Sequence, residues 1–240
     1  MMEEHRLISD DLSPEVKKQI VDYLSAYVTP HKQKLIEEVL AKRTRHITVV
    51  MEDIFKPHNA SAVIRTAECL GIQDVHIVEK SNQYSPNPWV LRGALKWMTV
   101  RHYPSSNPRS MEDCFHSLKQ QGYRVVATDV DQRSIPITEV DISAKTALVM
   151  GTEHEGISDY VRENADELVT IPMSGFTESF NVSVSAAICL NHLLTKMRST
   201  GINWQLSKEE KAELKYRWYS RIPPHAENLI SHYMKENNLK

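Results

Sequence analysis

This 240-residue sequence predicts an α/β fold, a mostly parallel sheet with helices on both faces. Three observations predict it. The composition is globular, 41% hydrophobic and 25% charged with seven glycines and eleven prolines, which excludes collagen-like, low-complexity and disordered chains. Short β-branched runs stand at 47–51, 75–79, 123–128, 146–150 and 168–171. Helical patterns at about 59–70, 109–121 and 157–164 lie between them, and strands alternating with helices form βαβ units.

The elements follow in order. Glu3, Glu4 and Asp10 make the N-terminus acidic, with no apolar signal core. Ser13-Pro14-Glu15 is a helix start, because proline has no amide to waste in the first turn and an acid there faces the positive end of the dipole. Val16, Ile20, Val21, Leu24 and Val28 recur at helical spacing, Pro30 breaks the chain, and Leu35, Ile36, Val39 and Leu40 mark a second helix. Lys42, Arg43, Arg45 and His46 close that segment as a basic cluster. After the alternating strands and helices, a long helix is predicted from about 180 to 199. Gly201 to Gln205 is a break, and 207–219 and 225–237 read as two more helices around Arg221-Ile-Pro-Pro. The expected organisation is a helical extension over 1–45, an α/β domain over 46–200 and a basic helical extension over 201–240.

Several function classes drop out. No G-x-G-x-x-G follows the first strand, and neither a G-x-x-x-x-G-K-[ST] loop nor a G-x-S-x-G elbow occurs. Cys69, Cys114 and Cys189 stand far apart, which suits a reduced cytoplasmic protein and neither a disulfide framework nor a metal site. Apolar runs are too short to span a membrane. The net charge of −2 hides an asymmetry: residues 51–195 carry 12 basic and 18 acidic residues, and residues 196–240 carry 9 and 5. A basic tail fits an anionic partner or a solvated helix surface equally well.

In an open α/β sheet the ligand sits beyond the carboxyl ends of the strands. Three loops there carry polar residues. In Lys56-Pro57-His58-Asn59-Ala60-Ser61-Ala62-Val63-Ile64-Arg65, Asn59 is placed to cap a helix, and Arg65 stands among small and apolar neighbours. Locally, a solvent-reaching or acid-paired Arg65 is the plainer reading and a ligand-facing one the sharper. In Gly151-Thr152-Glu153-His154-Glu155-Gly156, a strand ends at a glycine that lets a ligand approach the backbone, or the loop is a plain strand-to-helix turn. In Ile171-Pro172-Met173-Ser174-Gly175 through Ser179-Phe180-Asn181-Val182-Ser183-Val184-Ser185-Ala186, a helix starting near Ser179 offers its first-turn amides to a negative group.

Together these three stretches resemble the three motifs of the SpoU/TrmH branch of the SPOUT RNA methyltransferases, in family order over roughly residues 45–200. The resemblance implies a deep C-terminal trefoil knot, S-adenosyl-L-methionine bound in it, a homodimer, and methylation of a ribose 2′-hydroxyl in RNA. It implies catalytic roles for Arg65, Asn59, Glu153, Ser179 and Asn181, with Asn59 and Ser179 positioning Arg65. It implies a cofactor pocket lined by Thr128, Gly151, Ile171, Met173 and Phe180. Thr152 stands where an asparagine is common. The short helical flanks resemble the enzymes that methylate guanosine-18 of the tRNA D-loop; a 23S rRNA guanosine, or a non-catalytic RNA-binding protein of the same fold, is the alternative.

Because the body is acidic, the RNA grip is expected at Arg43 and Arg45 before the first strand and at Lys211, Lys215 and Arg217 in the tail, where Trp218 and Tyr219 stand ready to stack on an unpaired base. The other reading of that tail helix is packing between subunits through Leu214 and Trp218.

Overall fold

All five predicted runs become strands in the computed structural model, which describes residues 12–239. The acidic stretch Glu3, Glu4 and Asp10 lies outside the described residues. In chain order the elements are α1 (Pro14–Ser25), α2 (Pro30–Leu40), β1 (Ile47–Glu52), α3 (Pro57–Leu70), β2 (Asp74–Val78), α4 (Pro88–Leu91), β3 (Thr99–Tyr103), α5 (Ser110–Gln120), β4 (Tyr123–Thr128), β5 (Ile135–Pro136), β6 (Lys145–Met150), α6 (Asp159–Asn164), β7 (Glu167–Thr170), α7 (Val182–Ser199), α8 (Lys208–Tyr219) and α9 (Ala226–Glu236). The strands form one sheet in the order β3-β2-β1-β6-β4-β7-β5, every pair parallel.

The burial pattern explains which strands the sequence reveals. Every residue of β1 and β2 is buried, as a central parallel strand covered on both faces requires. Alternate residues feed opposite cores: Val49, Met51, Val126 and Leu148 pack on one face with Ala60, Val63, Ala186 and Leu190 of α3 and α7. Val50, Val125, Ala127 and Val149 pack on the other with Cys114, Phe115, Leu118 and Val161 of α5 and α6. Each buried Val, Ile, Leu or Met contributes about 1.5–3 kcal/mol over an exposed one, so this alternation sets the register. Two strands escape the sequence pattern. Thr99–Tyr103 is an edge strand with no fully buried residue, and Ile135–Pro136 is two residues long at the opposite edge.

Residues 44–204 form one compact unit, which holds the sheet. Residues 12–43 and 205–239 form the other. The flanks read as two separate extensions thus fold on each other: Lys17 pairs with Glu213 at 2.7 Å, Lys215 pairs with Glu37, and Tyr23 stacks on Tyr233 at 4.5 Å between ring centres. Ser13 and Thr29 cap α1 and α2, and Ser207 with Glu210 forms a capping box on α8.

Candidate active site

Strand β1 lies beside β6, so the loops that follow them are neighbours. The Glu153 carboxylate accepts hydrogen bonds from the Asn59 side-chain amide at 2.6 Å and from the backbone amides of Phe55 at 3.2 Å and Lys56 at 3.4 Å. Asn181 donates to the Asn59 side-chain oxygen at 3.4 Å. Asn59 thus links Glu153 and Asn181, so one residue from each loop enters a single chain of hydrogen bonds. Burial raises the Glu153 carboxyl, but the donors from Asn59, Phe55 and Lys56 outweigh it and hold the group below the ordinary glutamate range.

Two local expectations change. Asn59 is not a helix cap: Pro57 takes the first turn, the cap position falls on Lys56, and Asn59 is free to turn its amide to Glu153. The last long helix starts at Val182 rather than near Ser179, because the Asn181 side chain accepts from the Ser183 amide at 2.9 Å and caps it. That bond satisfies one of the amides read as open to an anion.

Arg65 lies on the solvent side of α3, not in apolar surroundings, since its helical neighbours Val63, Ile64 and Ala67 face the core instead. Its guanidinium makes one long bond to the Val90 carbonyl at 3.4 Å. Among the described residues no hydrogen bond joins Arg65 to Asn59 or to Ser179, which is exposed. The positioning role expected of those two is therefore absent from the hydrogen bonding.

The residues expected in the pocket follow three adjacent strands. Thr128 closes β4 and donates to the Val149 carbonyl at 3.1 Å, Gly151 follows β6, and Ile171 and Met173 follow β7 as half-buried side chains with Phe180 exposed beyond them. Gly151 has another reason to be glycine than an approaching ligand. A Cβ there would lie 2.2 Å from the carbonyl carbon and oxygen of Gly156 and 2.4 Å from the Ile157 nitrogen. The close approach is by the chain's own hairpin, closed by Thr152 amide to Gly156 carbonyl at 2.8 Å and the reverse bond at 3.2 Å. The Thr152 hydroxyl also accepts from the Glu155 amide at 2.9 Å, so threonine supplies a loop bond of its own. Among the described residues, no backbone group from Pro172 to Phe180 makes a hydrogen bond within the protein.

The residues expected to grip RNA are not displayed as a free basic face. Arg43 is 1% exposed and its guanidinium stacks 5.5 Å from the Trp218 ring centre. Arg45 pairs with buried Asp74 at 3.0 Å, Lys215 with Glu37, and Arg217 with Glu213 at 3.0 Å. Trp218 and Tyr219 are each 2% exposed and cannot stack on a base without unfolding α8. Lys211 remains half-exposed. Acidic and aromatic partners hold these side chains, and charge counting does not register them.

Two acids at the end of β1 hold neighbouring segments through backbone amides. Glu52 accepts from the Ser158 amide at 3.0 Å, and burial raises its carboxyl above the usual range against that bond. Asp53, at φ 50°, accepts from the amides of Lys80, Ser81 and Asn82, each at 2.8 Å. An acid pair where a buried strand ends is the sequence signal for them.

The Glu153 geometry makes a stability prediction. Glu153→Gln offers one oxygen where the carboxylate offers two, and should cost about 1–2 kcal/mol at neutral pH. Because the folded carboxyl is depressed, its contribution is present above the ordinary glutamate range and is lost as pH falls through the folded value. Urea unfolding at pH 7 and pH 3 should therefore show the gap between the variant and the parent closing on acidification; an unchanged gap refutes it.

Comparison with known proteins places this geometry in context. The model of the SpoU rRNA Methylase family matches residues 46–191. The tRNA (guanosine(18)-2′-O)-methyltransferase of Borreliella burgdorferi is 39% identical over 223 residues, covering 92% of this chain and 100% of that protein. The crystal structure of the Aquifex aeolicus TrmH/SpoU tRNA modifying enzyme superposes with a TM-score of 0.69 at 27% identity, over 85% of this chain and 96% of that one. The SpoU methyltransferase AviRb of Streptomyces viridochromogenes, crystallised with the cofactor AdoMet, shares the fold at a TM-score of 0.57 and 23% identity, over 68% and 65% of the two chains.

Proposed function

The chain belongs to the SpoU rRNA methylase family and is an RNA methyltransferase; from that premise we propose that it uses S-adenosyl-methionine to methylate the 2′-hydroxyl of guanosine-18 in the D-loop of tRNA. The observation that carries the reading is the joining of Asn59, Glu153 and Asn181, one from each loop, with Arg65 exposed on α3, the helix that also carries Asn59. The likeness to a guanosine-18 enzyme along nearly the whole chain, helical flanks included, supports tRNA over ribosomal RNA.

The residues present fit the cofactor. Pro172 to Phe180 leaves its backbone amides and carbonyls uncommitted among the described residues, which suits the polar edges of an adenine and an amino acid. Ile171, Met173 and Phe180 supply apolar contact, with Thr128 and Gly151 at the neighbouring strand ends. Bound there, the cofactor supplies an electrophilic methyl group. Glu153, Asn59 and Asn181 hold the three loops in register. Arg65 stabilises the developing negative charge on the ribose oxygen or the adjacent phosphate; its guanidinium stays protonated at neutral pH and is a poor base. Ser179 adds a hydroxyl at the mouth.

The same reading assigns the catalytic body to 46–200 and includes a trefoil knot. What supports the knot is that the chain leaving β7 returns past β4 and β6 to pack α7 against α3, the helix that follows β1. It includes a homodimer, supported by exposed Val184 and Ile188 on α7 and by the buried His192 Nε2, which has no partner among the described residues. Ile188→Asp should give a monomer by sedimentation if this face is the interface. A cytoplasmic location follows from a tRNA substrate. Among the described residues no helix is long and apolar enough to cross a membrane.

Incubation with labelled S-adenosyl-methionine and total RNA, followed by mapping of the modified ribose, tests the reading. Label at guanosine-18 of tRNA supports it; label in ribosomal RNA redirects the substrate; RNA binding without transfer makes the protein non-catalytic.

A further inference from the structure

The acidic body has one exception. From Lys80 to Met111 there are five basic residues (Lys80, Arg92, Lys96, Arg101 and Arg109) and no acidic one, whereas the rest of 51–195 carries seven basic and eighteen acidic. This stretch joins β2 to the far end of β3 and contains α4. Arg92, Lys96, Arg101 and Arg109 are all exposed.

In the middle of it stands Trp89, 82% exposed. Its ring carries a large apolar area and a flat face, which makes tryptophan a side chain that contact surfaces favour. Its support is rigid. Asp53 pins the start of the segment through the amides of Lys80, Ser81 and Asn82. The Asn87 amide donates to Ser61 on α3 at 3.0 Å, and the Asn87 side chain accepts from the Trp89 amide at 3.1 Å. Leu91 and Ala94 enter the core on either side of Arg92 and Gly93. The next residue, Val90, supplies the carbonyl that Arg65 touches at 3.4 Å. The backbone that carries an exposed indole is thus anchored one residue from the carbonyl that Arg65 touches, on the locally positive part of a negative surface.

We propose that Trp89 stacks on an unpaired base of the RNA substrate beside the target ribose, with Arg92 on the neighbouring phosphate, making Trp89 a substrate-positioning residue. The inference rests on the RNA-methyltransferase reading above. Flat bases recognise an indole face, and single-stranded loops present bases that can leave their stack. An anchored backbone with a two-torsion side chain limits the entropy spent on the contact.

The test uses the full-length protein, an unmodified tRNA transcript and labelled S-adenosyl-methionine. Trp89→Ala should weaken tRNA binding, and raise the RNA KM, by roughly 5- to 150-fold. The rate at saturating RNA and the cofactor affinity should change little. Trp89→Tyr should recover most of the loss, since a smaller aromatic still stacks, and that recovery also excludes misfolding as the cause. Arg92→Gln should lower the slope of log affinity against log salt by about 0.7–0.9. Parent protein that methylates tRNA alongside a Trp89→Ala variant with unchanged RNA affinity overturns this inference alone. A variant that keeps its RNA affinity but loses the dimer overturns it too, assigning Trp89 to a protein contact. Parent protein that binds no RNA overturns the functional reading itself.

Discussion

Arg65→Ala should lower methyl transfer to tRNA by about two to three orders of magnitude, the cost of removing one preorganised donor from a developing oxyanion. The side chain is exposed and makes one long bond to the Val90 carbonyl, so its loss should leave the fold and cofactor binding nearly intact. Arg65→Lys should recover little, because an ammonium point charge does not reproduce a planar fork of donors. Single-turnover rates at saturating tRNA and cofactor, with calorimetry for S-adenosyl-methionine, separate the two effects. Turnover that survives within a few-fold of the parent would remove Arg65 from the reaction, and a large fall in melting temperature would make it structural.

Gly151→Ala should have the largest effect on stability. The new methyl would meet the carbonyl of Gly156 at 2.2 Å and the nitrogen of Ile157 at 2.4 Å. Both are backbone, so relief means opening the Thr152–Gly156 bridge and moving the end of β6. A cost of about 3 kcal/mol or more is expected, at the upper end of overpacking. Gly156→Ala provides the contrast. Gly156 has φ 70° with nothing within 4 Å of an added Cβ, so only the left-handed backbone penalty of about 1–2 kcal/mol applies. Urea unfolding followed by circular dichroism ranks the two. If Gly151→Ala proves no worse than Gly156→Ala, the hairpin is more pliable than its geometry indicates.

The sequence is most informative where periodicity and burial coincide. Ile47–Glu52 and Tyr123–Thr128 show as strands because a central parallel strand buries side chains on both faces, leaving short runs rich in β-branched residues such as Val49-Val50 and Val125-Val126. Thr99–Tyr103 is invisible for the opposite reason: at the edge, half its surface is solvated and its residues include Arg101 and His102. Asn59 shows the same limit within a loop. By type it is a helix cap, but the helix starts two residues earlier at Pro57, and the Asn59 side-chain amide donates to a glutamate 94 residues away. Asn181, 122 residues from Asn59, behaves oppositely, capping its own helix and also reaching the other loop. Arg43 illustrates the failure of charge counting, since a guanidinium can lie flat on Trp218 and vanish from the surface.

The sequence by itself determined the α/β class, the order of the main helices and strands, and the three motifs that mark an RNA methyltransferase. Those are local properties: the spacing of apolar side chains, the chemistry of a turn, the run of a motif. Tertiary structure decided which strands are neighbours, and so which loops share a site. Placing β1 beside β6 joins Asn59 to Glu153, and returning α7 to α3 adds Asn181. It also decided which cations reach water: Arg43 is buried and Lys215 paired, whereas Arg65 and Arg92 are exposed. The physical reason is that side-chain exposure and loop proximity are set by contacts between residues tens to hundreds of positions apart, which a local pattern does not encode.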